Sequence, residues 1–491
     1  MRRTFISTLF VLLAAAASGQ QRYDDAVRHN AWNMGGGVAG LRCDSLSTSY
    51  AEIYALKEGG GMKPSYASDD SWSFGAQMRS ILRMEKISFA GGFGFDYFRG
   101  RNMCGSMFGE PGYYPVDILE FTPGVKIRET YTFDGGLSAE LGRGLLLGVG
   151  IDFGAGSYSK RKDLRHKNNI LDFGVMPSLT YRFADGAAGV TYIFAKRGES
   201  LSANEYGISS ETYDAFFDKG ICFGEQSLWT GNGIHLDYSG VSGFPVREFA
   251  NGAMVQAEWH GVYADVSYRR RTGRTGEKQT IWHEFAADDI AAHAAANFGG
   301  RWFVRASFSL SGQTNNENVL NSVTDNGVTT DRKFGSNTVF ARNTTAASLE
   351  AEYCTARWLI VAGGRWRSLE RLSTLSYPHW RSHTMNFGEL FADARATFGS
   401  FEVSLSVAGG KGGSEMSGDG ADDADYPLCR TDFLAAETEW YTAARICAGA
   451  GLRYNIRKFY VDLRGDYMRG FNTVAIGRDR WSVRLSAGYR F

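Results

Sequence analysis

Prolines number only 8 in 491 residues, cysteines only 6, and no charge of either sign predominates, with 53 Lys and Arg against 53 Asp and Glu. The balanced charge excludes the broad basic footprint of a nucleic-acid-binding protein. The cysteines (Cys43, Cys104, Cys222, Cys354, Cys429 and Cys447) show no CxxC spacing. They define no disulfide framework or zinc ribbon and read as small apolar fillers. Beyond residue 20 no apolar run approaches the roughly 20 residues that a membrane helix needs. Catalytic signatures are missing too: His283-Glu284 lacks the second histidine of HExxH, and the glycines of GGFGFDYF have the setting of a strand. What is abundant is glycine, 61 residues, together with 14% aromatics. Both rise together in all-β proteins with tight turns and aromatic girdles.

The first twenty residues, MRRTFISTLFVLLAAAASGQ, have two arginines, an apolar stretch and small residues before Gln20. This pattern predicts a signal peptide over 1–19 for Sec export, and no lipoprotein cysteine follows it. Residues 20–47 are expected to form a short periplasmic segment. About 25 residues before the first strand leave no room for a receptor-type plug domain.

From there the chain alternates. In LLLGVGIDFGAGS, Leu145, Leu147, Val149, Ile151 and Phe153 share one face and glycines with Asp152 the other. RWFVRASFSLS, FEVSLSVAGG and KFYVDLRGDYM repeat the period of two. Repeated segments of about ten residues, with short and long links in turn, predict an all-β fold: a transmembrane antiparallel up-and-down barrel of about 18 strands, with 14–18 admissible. The barrel is expected over 48–491, with extracellular loops at 99–124, 198–250, 313–342, 372–385 and 412–443. The acidic run within 412–428 is the expected mobile tip. A soluble sandwich alternates as well, but the unbroken strand series, the turn asymmetry and the aromatics near strand ends favour the barrel. The last strand, RDRWSVRLSAGYRF, turns Trp481, Val483 and Leu485 to lipid and ends on Phe491. This resembles the signal by which the assembly machinery recognises outer-membrane barrels.

The polar face carries the candidate site. Arg301, Arg305, Arg365, Arg367, Asp393, Arg395, Asp462, Arg464, Asp466 and Arg484 are expected to line the lumen, either selecting anions or pairing across strands. Arg161, Lys162, Arg165 and His166 form a rim cluster suited to lipopolysaccharide phosphates or another anionic ligand. Met103, Cys104 and Met107 lie close enough in sequence for Cu(I), although a hydrophobic anchor is the commoner reason. Ser382 and His383 in HWRSH are the only pair that a rim hydrolase could use, and they lack an acid partner. No metal or cofactor is predicted, nor is the chain expected to be an enzyme.

HNAWNMGGGVAGLR (29–42), SMFGEPGYYPVDILEFTPG (106–124), KRKDLRHKNN (160–169), GEKQTIWHEF (276–285) and TNNENVLNS (314–322) resemble an uncharacterised family of Bacteroidota outer-membrane β-barrels. The resemblance spans most of the chain and implies a role beside TonB-dependent uptake of nutrients or metals, with a TonB-dependent receptor or surface lipoprotein as partner. It transfers no functional residue. The expected function is a transport or accessory barrel with a charged lumen. The alternative is a closed barrel that binds a ligand or lipoprotein through its loops.

Overall fold

The computed structural model describes residues 23–33, 37–43, 47–206, 210–230, 233–234, 236–238, 241–278, 280–325, 328–376, 379–419 and 430–491. The expected signal peptide and most of the acidic tip lie outside them. Eighteen strands form the wall: β1 Thr48–Gly59, β2 Asp70–Arg83, β3 Ile87–Ser106, β4 Asp117–Gly142, β5 Leu145–Lys160, β6 Arg165–Phe183, β7 Gly186–Glu205, β8 Phe244–Trp259, β9 Val262–Glu277, β10 Thr280–Phe298, β11 Trp302–Asp325, β12 Val328–Cys354, β13 Trp358–Ser376, β14 His379–Phe398, β15 Phe401–Gly418, β16 Arg445–Ile456, β17 Phe459–Gly470 and β18 Asp479–Arg490. Each pairs antiparallel with its neighbours in sequence, and β18 returns to β1 from Trp481↔Gly59 to Arg490↔Tyr50. Closure leaves no sheet edge, so every strand satisfies its backbone without water.

The wall is inside out relative to a soluble protein. Trp481, Val483 and Leu485 are exposed, as are Phe459, Val461 and Leu463 beside them, whereas Glu52, Asp265, Arg305 and Glu352 are buried. Aromatic pairs ring the short-turn end: Trp302 with Tyr353 (4.7 Å), Phe401 with Tyr454 (4.7 Å) and Phe459 with Tyr489 (4.8 Å). A second ring follows eight residues along the strands, at Trp366 after Trp358, Tyr467 after Phe459 and Trp481 before Tyr489. Eight residues span about 27 Å along a strand, or about 21 Å across the membrane at a tilt near 40°. That matches the apolar band of a transmembrane barrel.

Tight links close one end of the wall. The turn Gly142-Arg143-Gly144 runs through positive φ at all three residues (107°, 54° and 80°), a path that glycine accepts without steric cost. The other end rises far above the band. Strands β11 and β12 are 24 and 27 residues long, against 12 for each of β16, β17 and β18. Much of the chain expected as loop is therefore strand. Segment 313–342 is the upper half of the β11–β12 hairpin, and 372–385 is paired except near the turn after Ser376. Segment 99–124 shrinks to a link over 107–116, and 412–443 holds the end of β15 and the helix Thr431–Thr442. Segment 198–250 contains the end of β7, a hairpin of Thr212–Asp218 with Gly224–Thr230, and the start of β8. The reason is physical: above the lipid both strand faces meet water, so apolar alternation stops while backbone pairing continues.

Candidate functional site: a lumen closed from both ends

The N-terminal residues fill the mouth at the short-turn end. Of the expected N-terminal segment 20–47, the described residues 23–33 and 37–43 pack against the inner face of the wall, contacts that the sequence did not foretell. Helix α1, Tyr23–Arg28, sets Asp25 against Arg395 of β14. Arg28 reaches Glu350 (2.7 Å) and Glu352 (3.2 Å) of β12, and His29 Nε2 lies 2.5 Å from Glu352. Arg305 of β11 grips the same two carboxylates at 3.1 and 3.0 Å and donates to the Arg28 carbonyl at 3.1 Å. Trp32 is buried edge-on to Tyr263 of β9 (5.5 Å) and donates its indole N–H to Glu258 of β8 (2.5 Å). The 3-10 turn Val38–Arg42 crosses to β4–β6, where Ser178 Oγ accepts the Ala39 N–H and Ser138 Oγ donates to the Ala39 carbonyl, both at 2.9 Å. Buried Arg42 donates to the carbonyls of Met84 (3.2 Å) and Glu85 (2.8 Å) in the first short turn. Inward glycines make room for the segment: a Cβ on Gly148 would lie 2.5 Å from the Ala39 nitrogen. Trp32→Ala should cost the seating of this segment about 3–5 kcal/mol, read as lost amide protection over 23–33 while the wall stays protected.

The second closure comes from the long-hairpin end. Link 107–116 turns inward, and Tyr113 OH donates to Glu248 of β8 at 2.6 Å. The Arg197 guanidinium stacks on the Tyr113 ring at 3.8 Å and pairs with Glu110 at 2.5 Å. Arg342 of β12 donates to the Tyr113 carbonyl at 2.9 Å. Met107, Phe108, Tyr114 and Val116 anchor the link in an apolar cluster with Leu164, Leu201, Phe244 and Phe285. The Thr212–Asp218 strand pairs with the tip of β4, and helix α2, Thr431–Thr442, packs Leu434 against Leu119, Phe216 and Phe340.

A cavity of about 250 Å³ under this crown is lined by Asp117, Asp218, Arg342, Arg371 and Glu437 among others. Burial pushes Asp218 up to about 6 and Asp117, at the outer tip of β4 above the apolar band, up to about 8. An unfolded aspartate titrates near about 3.9. Between that value and the raised ones the folded crown holds protons that the unfolded chain releases, so its stability falls as pH rises and levels off above about 8. Proteolytic nicking of hairpin 212–230 should therefore be slower near pH ~5 than near ~8. Asp117→Asn should remove most of that difference and Asp218→Asn a smaller part; an unaltered pH ratio in both would count against this account.

Between the closures lies a charged chamber. One cavity of about 490 Å³ is lined by five arginines (Arg79, Arg453, Arg464, Arg484 and Arg490) against Asp24, Glu52 and Asp462, with Tyr23, Tyr50 and Tyr460 beside them. A second, of about 450 Å³, shares Arg79 and adds Asp134, Asp152, Asp172, Arg197, Glu248, Arg269 and Arg271.

Most of the arginines expected in the lumen are paired. Arg484 meets Glu52 at 2.8 Å and stacks over Tyr54 at 4.2 Å. Arg464 meets Asp466 at 2.9 Å and the Ser406 hydroxyl at 3.0 Å, and Asp462 meets Arg453 at 2.7 Å. Arg395 lies between Asp25 and Glu402, on the parity of Asp393. Arg365 stacks over Phe391 at 4.2 Å, and Arg367 over Tyr441 of α2 at 4.2 Å. Arg301 is a correction: it sits exposed in the turn before β11 and not in the wall, because the strand begins at Trp302.

The rim cluster also divides. Arg161 and Lys162 are exposed, and Arg165 pairs with Asp163 at 2.7 Å. His166 is 3% exposed and bonded to Asn168, because its position on β6 points it inward, away from any surface ligand. Ser382 and His383 are consecutive in β14 and so face opposite sides of the wall. His383 is buried and bonded to Arg371, so the two cannot act as a nucleophile and its base. Met107 packs in the apolar cluster as an anchor. The parity of the strands pointed to none of Arg28, His29, Trp32 or Tyr113. The only sign was that His29, Trp32 and Tyr113 stand in two of the stretches that carried the family resemblance, with Arg28 just before the first.

No curated protein matches the sequence. Similar solved structures include the FrpB iron transporter from Neisseria meningitidis, F5-1 variant (11% identity, 93% of this chain and 84% of that one, TM-score 0.43). Others are the ferric-catecholate import receptor Fiu from E. coli K12 (9%, 91% and 82%, 0.37) and the Pseudomonas putida toluene transporter TodX (11%, 96% and 95%, 0.29). Residues 38–491 match the profile of a family of unknown function, DUF6850, over the whole barrel and the last ten residues of the N-terminal segment. The chain belongs to that family.

Proposed function

We propose that this chain is an outer-membrane transport barrel that passes small anionic solutes when its N-terminal segment withdraws from one mouth and link 107–116 from the other. The reading rests on one observation, the chamber lined by five guanidiniums, two of which (Arg79 and Arg464) also reach Asp134 and Asp466, between two closures made of the chain itself. A lining so rich in guanidiniums favours anions through a narrow aqueous path. In this reading the signal peptide directs Sec export, the short turns face the periplasm and the long hairpins face outward among lipopolysaccharide. In planar bilayers under a salt gradient, the barrel freed of residues 23–43 and with link 107–116 shortened should show an anion-selective reversal potential. Arg79→Gln with Arg484→Gln should move that potential toward cations. Cation selectivity in the starting barrel would sink the reading.

The two closures also favour a second reading, a binding barrel whose crown holds a surface lipoprotein or a TonB-dependent receptor. It predicts co-purification that depends on hairpin 212–230, with no conductance even after the N-terminal segment is removed and the link shortened.

A further inference from the structure

The contact between the N-terminal segment and β12 brings together three side chains of a kind that bind metal ions. His29 Nε2, a carboxylate oxygen of Glu352 and Cys354 Sγ lie within 4.8 Å of one another. We propose that these three residues form a site for a divalent cation of borderline softness, Zn²⁺ or Fe²⁺, that pins the segment to the wall. The proposal does not depend on which solute crosses the lumen.

The donor set fits such an ion, since imidazole, thiolate and carboxylate are its usual ligands. Cys354 is a free thiol at the last position of β12, next to the short-turn mouth, so an ion can reach it from that side. The donors are held in place by their neighbours. Arg28 and Arg305 both bind Oε2 of Glu352, at 3.2 and 3.0 Å, which leaves Oε1 turned to His29. The His29 ring is fixed by stacking on Phe303 at 4.2 Å and 7°. Partners that orient a ligand in this way are typical of metal sites. Ligands on a tetrahedral ion with bonds of about 2.0–2.1 Å stand about 3.3 Å apart. His29 and Glu352, now 2.5 Å apart, need to open by less than about 1 Å.

The ligand carboxylate is held in a network of ion pairs, in which Arg28 and Arg305 bind Glu350 and Glu352 while Arg395 lies against Asp25. The segment supplies His29 and the wall supplies Glu352 and Cys354, so binding couples directly to closure of the mouth.

The test uses the full chain folded in detergent, with the other five cysteines changed to serine, and Co²⁺ as an optical probe. One equivalent should bind and give a thiolate-to-cobalt charge-transfer band. Cys354→Ser should abolish the band, and His29→Ala should weaken binding about tenfold or more. His29 lies outside the wall, so its variant leaves the barrel intact. In a second measurement, Zn²⁺ against a chelator should raise amide protection over 23–33 in the parent and not in His29→Ala. Absence of the band in the parent, or binding undiminished in both variants, overturns the site. Neither result bears on anion selectivity, which is read separately from the reversal potential.

Discussion

Removal of residues 23–43 from a barrel in which the inward link 107–116 is also replaced by a short turn should raise the single-channel conductance by about tenfold or more, because both closures are then gone and an 18-stranded wall encloses a lumen wide enough for water. The segment touches the wall from β4 round to β14 through Ser138, Ser178, Glu258, Tyr263, Arg305, Glu352 and Arg395. None of these contacts is a backbone pairing of the wall itself. The truncated barrel should therefore assemble and keep the heat-dependent gel mobility of a folded barrel. Equal conductance of the full and truncated chains, both folded, would show that the N-terminal residues do not close the path.

The second large effect is expected at Arg271. Its guanidinium is bonded to Asp289 at 2.7 and 3.0 Å, to Glu248 at 3.1 Å and to the Ser311 hydroxyl at 3.3 Å, so it joins four strands, β8 to β11. Arg271→Ala leaves buried Glu248 without its cation, while Asp289 keeps Arg269 at 3.1 Å, and breaking a buried pair in this way costs about 3–5 kcal/mol. The Tyr113 hydroxyl bonds to the same Glu248, so the inward link should loosen too. In the truncated background the variant should raise conductance further and lower the urea midpoint of unfolding. Arg271→Lys should rescue little, because an ammonium cannot reproduce the forked contacts to both carboxylates. A variant with wild-type stability would show that Glu248 and Asp289 do not depend on this residue.

The wall was legible because lipid imposes a rule on every spanning strand. Apolar residues at every second position, such as Trp481, Val483 and Leu485, mark all eighteen strands, and the same parity pointed Arg464 and Arg484 inward. The upper halves of β11 and β12 were not legible. TNNENVLNS is mostly polar on both faces and yet stays paired with β12, through two register shifts at Asn315/Asn316 and Val319/Leu320. The N-terminal closure was hidden for a different reason. HNAWN has no period to read, and its partners are single side chains from strands hundreds of residues away, as His29 is from Glu352. The family resemblance did fall on these places: 29–42 and 106–124 become the two closures, and Trp282 of 276–285 stacks on Phe244 at 5.3 Å beneath the crown.

The position of the N-terminal segment in the chain also bears on how the molecule is made. It precedes β1, and β1 zips to β18, so the last seam of the wall forms at the point where the segment joins it. The segment lies at the short-turn mouth, the same end at which β1 starts and β18 finishes. A wall that has already closed can still admit it from that side, without threading any strand through another. Barrel closure and stoppering can thus be separate events in time, since the geometry lets the N-terminus dock after the wall is complete.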